Sequence, residues 1–167
     1  MIPTISFNNK HYPRFQSEWF AAQFAFPFAT KVCHGRGYDI GCGIEGWALP
    51  GSIPIDTNLG NGWSATQLPT KIYGQVDYIF SSHCLEHVAS GWFEVLSYWV
   101  ENIKKSGTIF LYLPDYSQEY WRPWNNKKHF HIFTPQIISE AFQSLHLNKI
   151  FVSGVDLNNS FMAMAEV

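Results

Sequence analysis

Seven consecutive residues, Ser81-Ser82-His83-Cys84-Leu85-Glu86-His87, set two hydroxyls, two imidazoles, a thiol and a carboxylate side by side. His83 and His87 with Glu86 between them match H-x-x-E-H, the inverted zinc-protease pattern, because residues four apart share one helix face and can hold one zinc ion. That chemistry needs a long helix under both histidines and a third ligand on a later one. Here the pattern follows a buried-type run at 75–82, and Ser90-Gly91 ends any helix after about two turns. The expected ligand set is therefore no metal at all, with a zinc hydrolase through His83, Glu86 and His87 as a minor alternative. The favoured use of His83 is as a base with a pKa near neutrality, at the mouth of a cleft. His131 is the second candidate base, against a structural reading as a capped histidine ahead of the last helix.

A second group of residues is spaced for binding. Tyr38-Asp39-Ile40-Gly41-Cys42-Gly43-Ile44-Glu45-Gly46 satisfies G-x-G-x-x-G through Gly41, Gly43 and Gly46. A nicotinamide dinucleotide fits poorly, since Asp39 puts a carboxylate where a pyrophosphate would lie and 167 residues leave no room for a second, substrate domain. An acid at this point suits a cationic ligand group. Asp56 closes a second short strand, where a carboxylate can accept from both hydroxyls of a ribose. Gly41 and Asp56 are 15 residues apart and Pro50-Gly51 interrupts the span, so the intervening helix is expected to shrink to about one turn.

These groups need a frame. Short apolar strands are expected at 37–41, 52–56, 75–82 and 108–113, with Pro54 marking the second as irregular or near an edge. Helical stripes run through 13–26 (Phe15, Trp19, Ala22, Phe26), through 91–105 (Trp92, Val95, Leu96, Trp99, Ile103, with Lys104 and Lys105 at its C-terminal end) and after the Thr134-Pro135 start signal. Two strand-like runs at 149–155 and 160–167, joined by Asp156-Leu157-Asn158-Asn159, close the chain as an antiparallel hairpin. Strands alternating with helices predict a Rossmann-like three-layer α/β/α sandwich: a mostly parallel seven-stranded sheet with one antiparallel strand from that hairpin. Residues 1–167 form one domain in this reading, with 1–36 as an N-terminal helical extension. Ligands in such sheets sit beyond the carboxyl ends of the strands.

Composition narrows the function further. Hydrophobic residues reach 46%, enough for a full core, and aromatics reach 17%, more than a core of this size needs. Eleven Lys plus Arg are scattered and the net charge is -2, which disfavours a nucleic-acid partner. The start MIPTISFNNK lacks a basic flank and apolar stretch, and 19–29 is too short to span a bilayer, so no leader and no membrane are expected. Cys33, Cys42 and Cys84 have no paired spacing and read as reduced thiols in a cytoplasmic setting.

In order along the chain, the motifs resemble the class I S-adenosylmethionine-dependent methyltransferases, and within them a short form of the type 11 group. Asp39-x-Gly41-x-Gly43 resembles the first motif, Pro50-Gly51 and 53–56 the strand that ends in aspartate, and 63–69 the third motif, with Ser64 where an acid is common. His83-x-Leu85-Glu86-His87 resembles the segment flanking the sulfonium and the methyl acceptor, with 105–115 and 131–135 following in order. The resemblance implies S-adenosyl-L-methionine as cofactor, with contacts at Asp39, Gly41, Cys42, Gly43, Asp56, Thr57, Ser64, Ala65, Ser81 and Ser82. It implies methyl transfer to a small-molecule or glycan acceptor, with His83 or His131 as the base for a hydroxyl or amine.

The loop 115–130, with Tyr116, Tyr120, Trp121 and Trp124 followed by Lys127, Lys128 and His129, is expected to be either a lid over the acceptor or a loop pinned by its own aromatic packing. As a lid, it would lose acceptor affinity on exchange of Trp124 for Ala. A module that binds the cofactor without transferring its methyl is the first alternative. The apolar patch at 19–28 can cover the sheet or a partner chain, so a homodimer is also allowed.

Overall fold

The computed structural model describes residues 3–14 and 20–167. Two short strands, β1 (Thr4–Phe7) and β2 (Lys10–Pro13), pair only with each other. The other strands among the described residues are β3 (Gly37–Ile40), β4 (Ile53–Ile55), β5 (Val76–Ser82), β6 (Ile103–Pro114), β7 (Asn148–Val152) and β8 (Ser160–Glu166). They form one sheet in the order β4-β3-β5-β6-β8-β7. β3, β4, β5 and β6 are mutually parallel, and β8 runs against both of its neighbours, β6 and β7. The α-helices among the described residues are α1 (Phe26–Ala29), α2 (Thr70–Tyr73), α3 (Trp92–Glu101) and α4 (Pro135–Ser144). None is long and apolar enough to cross a membrane.

The Rossmann-like frame, the single antiparallel strand from the closing hairpin and the edge position of the Pro54 strand are as expected. The sheet has six strands rather than seven. Between β4 and β5 the chain carries Gly60, Gly62, Pro69 and Gly74 and no apolar run, so it folds into a 3-10 turn, an isolated Ser64–Gln67 bridge and the one-turn α2. The helix between β3 and β4 is reduced to a 3-10 turn at Glu45–Trp47, as the short spacing predicts.

Side chains alternate across the central strands. Ile79, Ile109, Leu111 and Leu113 join one core with Val95, Leu96 and Trp99 of α3 and Ile138 and Phe142 of α4. Tyr78, Phe80, Phe110 and Tyr112 form the other, covered by Ala21, Ala25 and Ala29. Each fully buried aliphatic side chain contributes about 1.5–3 kcal/mol. Thr134 caps α4 by accepting the Ile137 N–H, with Pro135 in the first turn as expected.

Three expected elements change. The N-terminal extension opens as a hairpin, turned by Asn8 and Asn9 at positive φ, not as a helix. Of the helix expected at 13–26, Phe15 and Trp19 lie outside the described residues, Pro13 ends β2, and Ala21–Phe24 is a 3-10 turn leading to α1. Ala21, Ala25 and Phe26 of the apolar patch pack on the sheet, with the Phe26 ring 5.8 Å from Phe80, while Phe28 is exposed. α3 stops at Glu101, and Ile103, Lys104 and Lys105 begin β6. Lys104 therefore pairs with Asp77 at 2.7 Å on β5 instead of facing a helix terminus.

Candidate active site

A cleft of ≈ 1010 Å³ opens beyond the carboxyl ends of β3, β4 and β5, where the chain order in the sheet reverses. Gly41 and Gly43 form its floor, at φ +84 and +77. A Cβ on Gly41 would lie 2.4 Å from Cys84 Cβ, so the β3 and β5 tips approach too closely for any side chain there. Gly46 has no such need: its φ is ordinary and a Cβ would meet nothing within 4 Å. The third glycine of the formal dinucleotide pattern thus has no structural requirement behind it.

Asp56 lies on the cleft wall with Thr57 and Asn58. Its Oδ2 accepts the Gly43 N–H and its Oδ1 the Asn58 N–H, both at 2.8 Å. Each oxygen keeps a lone pair beyond those bonds. Ser64, Ala65 and Thr66 continue the wall. They are held from behind, because Trp99 Nε1 donates to the Ala65 carbonyl at 2.7 Å. Ser82 lines the cleft with a buried hydroxyl that has no hydrogen-bond partner.

Three expected contacts lie beneath this surface. Asp39 is 1% exposed and accepts the Leu49 N–H at 2.6 Å, which pins the loop after the glycine turn. Burial pushes its carboxyl up to about 7, with the Asp56 charge adding to the effect and the Leu49 N–H opposing it. Ser81 is fully buried and donates to the Ile40 carbonyl, tying β5 to β3. Cys42 is buried and likewise absent from the cleft wall.

The two expected bases separate. His83 lines the cleft at φ +48, its ring beside Tyr112 and Trp121 and its Nε2 3.1 Å from the Ser160 hydroxyl. Burial, reinforced by His87, pushes its pKa down to about 3, so it is a neutral imidazole and a weak proton acceptor rather than a base poised near neutrality. His131 is not on the cleft wall. Its Nε2 stands 2.9 Å and 3.0 Å from the Val88 and Ser90 carbonyls, which makes that nitrogen a donor and the residue a staple for the 88–90 loop.

Loop 115–130 is pinned and also lines the cleft. Gln118 is fully buried and donates to the Asn158 carbonyl, and Phe130 N–H donates to the Glu86 carbonyl. The β1–β2 hairpin clamps it through Lys10–Glu119 and the Tyr12–Tyr120 ring pair. Tyr120, Trp121, Lys127, Lys128 and Phe130 face the cleft. Tyr116 and Trp124 do not: both stack on Arg122, and Trp124 is 65% exposed. Of the two tryptophans, Trp121 and not Trp124 is therefore on the cleft wall.

Sequence reasoning left out one constellation. Residues 85–87 form a single 3-10 turn, so the long helix of an inverted zinc protease does not exist here. The turn instead buries Glu86 completely and brings it together with His87 and His129, their ligand-capable atoms all within 4.8 Å of one another. Forty-two positions separate His87 from His129, and no spacing rule connects them.

No protein-family model matches the chain, and no curated protein matches it by sequence. Solved structures do. A methyltransferase in complex with the Trm112 methyltransferase activator of Haloferax volcanii is 13% identical, with 92% of this chain and 91% of that one covered at a TM-score of 0.67. An S-adenosylmethionine-dependent methyltransferase from Thermotoga maritima is 15% identical, covered 92% on each side at 0.68. The N-methyltransferase NodS of Bradyrhizobium japonicum, solved with S-adenosylhomocysteine, is 13% identical over 91% and 87% at 0.60. At these identities the likeness establishes the α/β fold.

Proposed function

We propose that this chain is an S-adenosylmethionine-dependent methyltransferase acting on a hydroxyl or amine of a small-molecule or glycan acceptor, as its motif resemblance to the short type 11 group implies. The observation that carries the reading is Asp56, a carboxylate locked by two backbone donors at the tip of β4 with lone pairs left over on a large cleft. The methyltransferase neighbours share that fold.

The residues present fit the cofactor. Asp56 would accept from the ribose hydroxyls, with Thr57 beside it, and the positive-φ backbone at Gly41 and Gly43 lets the amino-acid end approach. The unpartnered Ser82 hydroxyl would take one of that end's polar groups, and the Ser64–Ala65 wall would hold the adenine. Asp39, Cys42 and Ser81 act from beneath, by fixing the turn. When bound, the cofactor supplies a methyl on a sulfonium, already activated for displacement. The chain's own task is to align the acceptor and exclude water. Tyr120 and Trp121 roof the cleft and offer aromatic faces to a cation. Lys127 and Lys128 on the wall suit an acceptor bearing one or two negative charges, and are too few for a nucleic-acid backbone. Three free cysteines agree with a cytoplasmic setting.

A second reading, cofactor binding without transfer, is favoured by one observation: neither histidine expected as the base is poised to act as one. Turnover of S-adenosylmethionine across an acceptor panel separates the two. Binding itself is tested by calorimetric titration with S-adenosylhomocysteine. The expected result is micromolar affinity that Asp56→Ala loses; no heat at millimolar ligand would overturn the proposal.

A further inference from the structure

Glu86 is buried on every side, and neither of its carboxylate oxygens has a hydrogen-bond partner. Its nearest polar neighbours are imidazole nitrogens: His83 Nδ1 at 3.6 Å and His87 Nε2 at 3.9 Å from Oε1, with His129 completing the group. The tautomers follow from the other side of each ring. His87 Nδ1 is 2.9 Å from the Lys128 carbonyl, so Nδ1 carries the proton and Nε2 is a lone pair. His129 hydrogen-bonds the Trp121 backbone, and its buried Nε2 has no partner. His83 Nε2 faces the Ser160 hydroxyl at 3.1 Å, and its buried Nδ1 has no hydrogen-bond partner.

Imidazole nitrogens thus converge on a buried carboxylate whose two oxygens have no hydrogen-bond partner. In a low-dielectric interior that arrangement is costly unless a cation joins it. Imidazoles held by backbone carbonyls through one nitrogen, with the other presented to a carboxylate, have the outer-shell support that orients metal ligands. Trp121 stacks on His129 at 4.4 Å and fixes its ring further.

We propose that Glu86, His87 and His129 bind a divalent transition-metal ion at the edge of the cleft, with His83 Nδ1 beside it and open coordination positions on the cleft side. Two imidazoles and one carboxylate suit borderline ions such as Zn²⁺ or Co²⁺. Ligand distances of about 2.0–2.2 Å require the atoms to draw in from their present spacing. His87, which lines the cleft, brings the open positions to the space beside Lys128 and Phe130. A hydroxyl bound there would release its proton to water more readily, its oxygen remaining on the ion, with no need of a protein base. That consequence rests on the methyl-transfer reading; the metal site does not.

The test uses the full chain stripped of metal with a chelator and titrated with Co²⁺, whose d–d absorption reports ligation. One equivalent per chain is expected, displaced by Zn²⁺. His87→Ala and His129→Ala, each checked for cooperative thermal unfolding, should weaken binding about tenfold or more, and so should Glu86→Gln. Absence of Co²⁺ bands and of bound metal in the unaltered chain overturns the site, as does unchanged affinity in the well-folded His87→Ala protein. S-adenosylhomocysteine titration of the same samples keeps the two readings apart. Cofactor binding without cobalt binding removes only the metal site, and the reverse removes only the methyl-transfer reading.

Discussion

The Gly43 N–H donates to Asp56 Oδ2 across 2.8 Å, so the glycine turn after β3 and the carboxylate after β4 form one unit. The same carboxylate that would hold a ribose therefore also sets the shape of the floor on which the rest of the cofactor would lie.

Asp56→Ala removes that link and the Asn58 contact together. Hydrogen bonds to a charged group contribute about 1.5–3 kcal/mol each. Calorimetry with S-adenosylhomocysteine should show affinity at least about tenfold weaker, and Asp56→Asn, which keeps one acceptor oxygen, should lose less. Equal affinity in all three proteins would mean the ribose is held elsewhere.

Gly41→Ala places a methyl against Cys84 at a residue with φ +84, and should destabilise the fold by roughly 1–3 kcal/mol from backbone strain alone. Gly46→Ala meets open space at ordinary φ and should stay within about 0.5 kcal/mol of the parent. Urea unfolding of the two variants checks the contrast, and a costly Gly46→Ala would contradict it.

Asp39 gives a pH dependence of defined sign. Its carboxyl is raised in the folded state from 3.8 to about 7, chiefly by burial. The folded protein therefore holds a proton that the unfolded chain has released. The associated stability is fully present below the unfolded value and is lost as pH rises from about 4 through about 7. Asp39→Asn keeps an acceptor for the Leu49 N–H but carries no charge. Its melting temperature should fall less than that of the parent over this window, and parallel curves would argue that Asp39 ionises normally.

Trp99 is fully buried, and its indole N–H holds the Ala65 carbonyl of the cleft wall. Trp99→Phe leaves that carbonyl without its partner, at about 1–3 kcal/mol of stability. The change should also weaken S-adenosylhomocysteine binding, because the wall expected to hold the adenine loosens. A stability loss with unchanged affinity would separate the wall from the binding site.

Trp121 lines the cleft while Trp124 lies outside it over Arg122. Once an acceptor is found, Trp121→Ala should raise its KM several-fold and Trp124→Ala should leave it unchanged. The opposite pattern would move the acceptor to the outer face of the loop.

Much of this molecule was legible in the chain because it depends on neighbours in sequence. Unbroken apolar runs gave away β5 and β6 as strands covered on both faces, Thr134-Pro135 marked the start of α4, and the short Gly41–Asp56 span announced a missing helix. Gly41, Gly43 and Asp56 were found for the same reason, since turn chemistry and strand ends are local. Lys104 and Lys105 were misassigned because helical spacing through Ile103 continues past the point where pairing with Val76 begins β6. The sheet has six strands rather than seven, and 57–75, between β4 and β5, contains no apolar run that could add another.

By itself the sequence determined the parallel frame, its closing hairpin and the polar groups at the strand tips. Only the tertiary structure decided how far each of those groups is withdrawn from water, and burial is what makes Asp39 a weak acid and His83 a weak base. It also decided that His129 meets Glu86 and His87. That contact forms because loop 115–130 leaves the end of β6, crosses the cleft and ties back to the Glu86 carbonyl, and such a closure depends on where packed strands end, not on any periodicity along the chain.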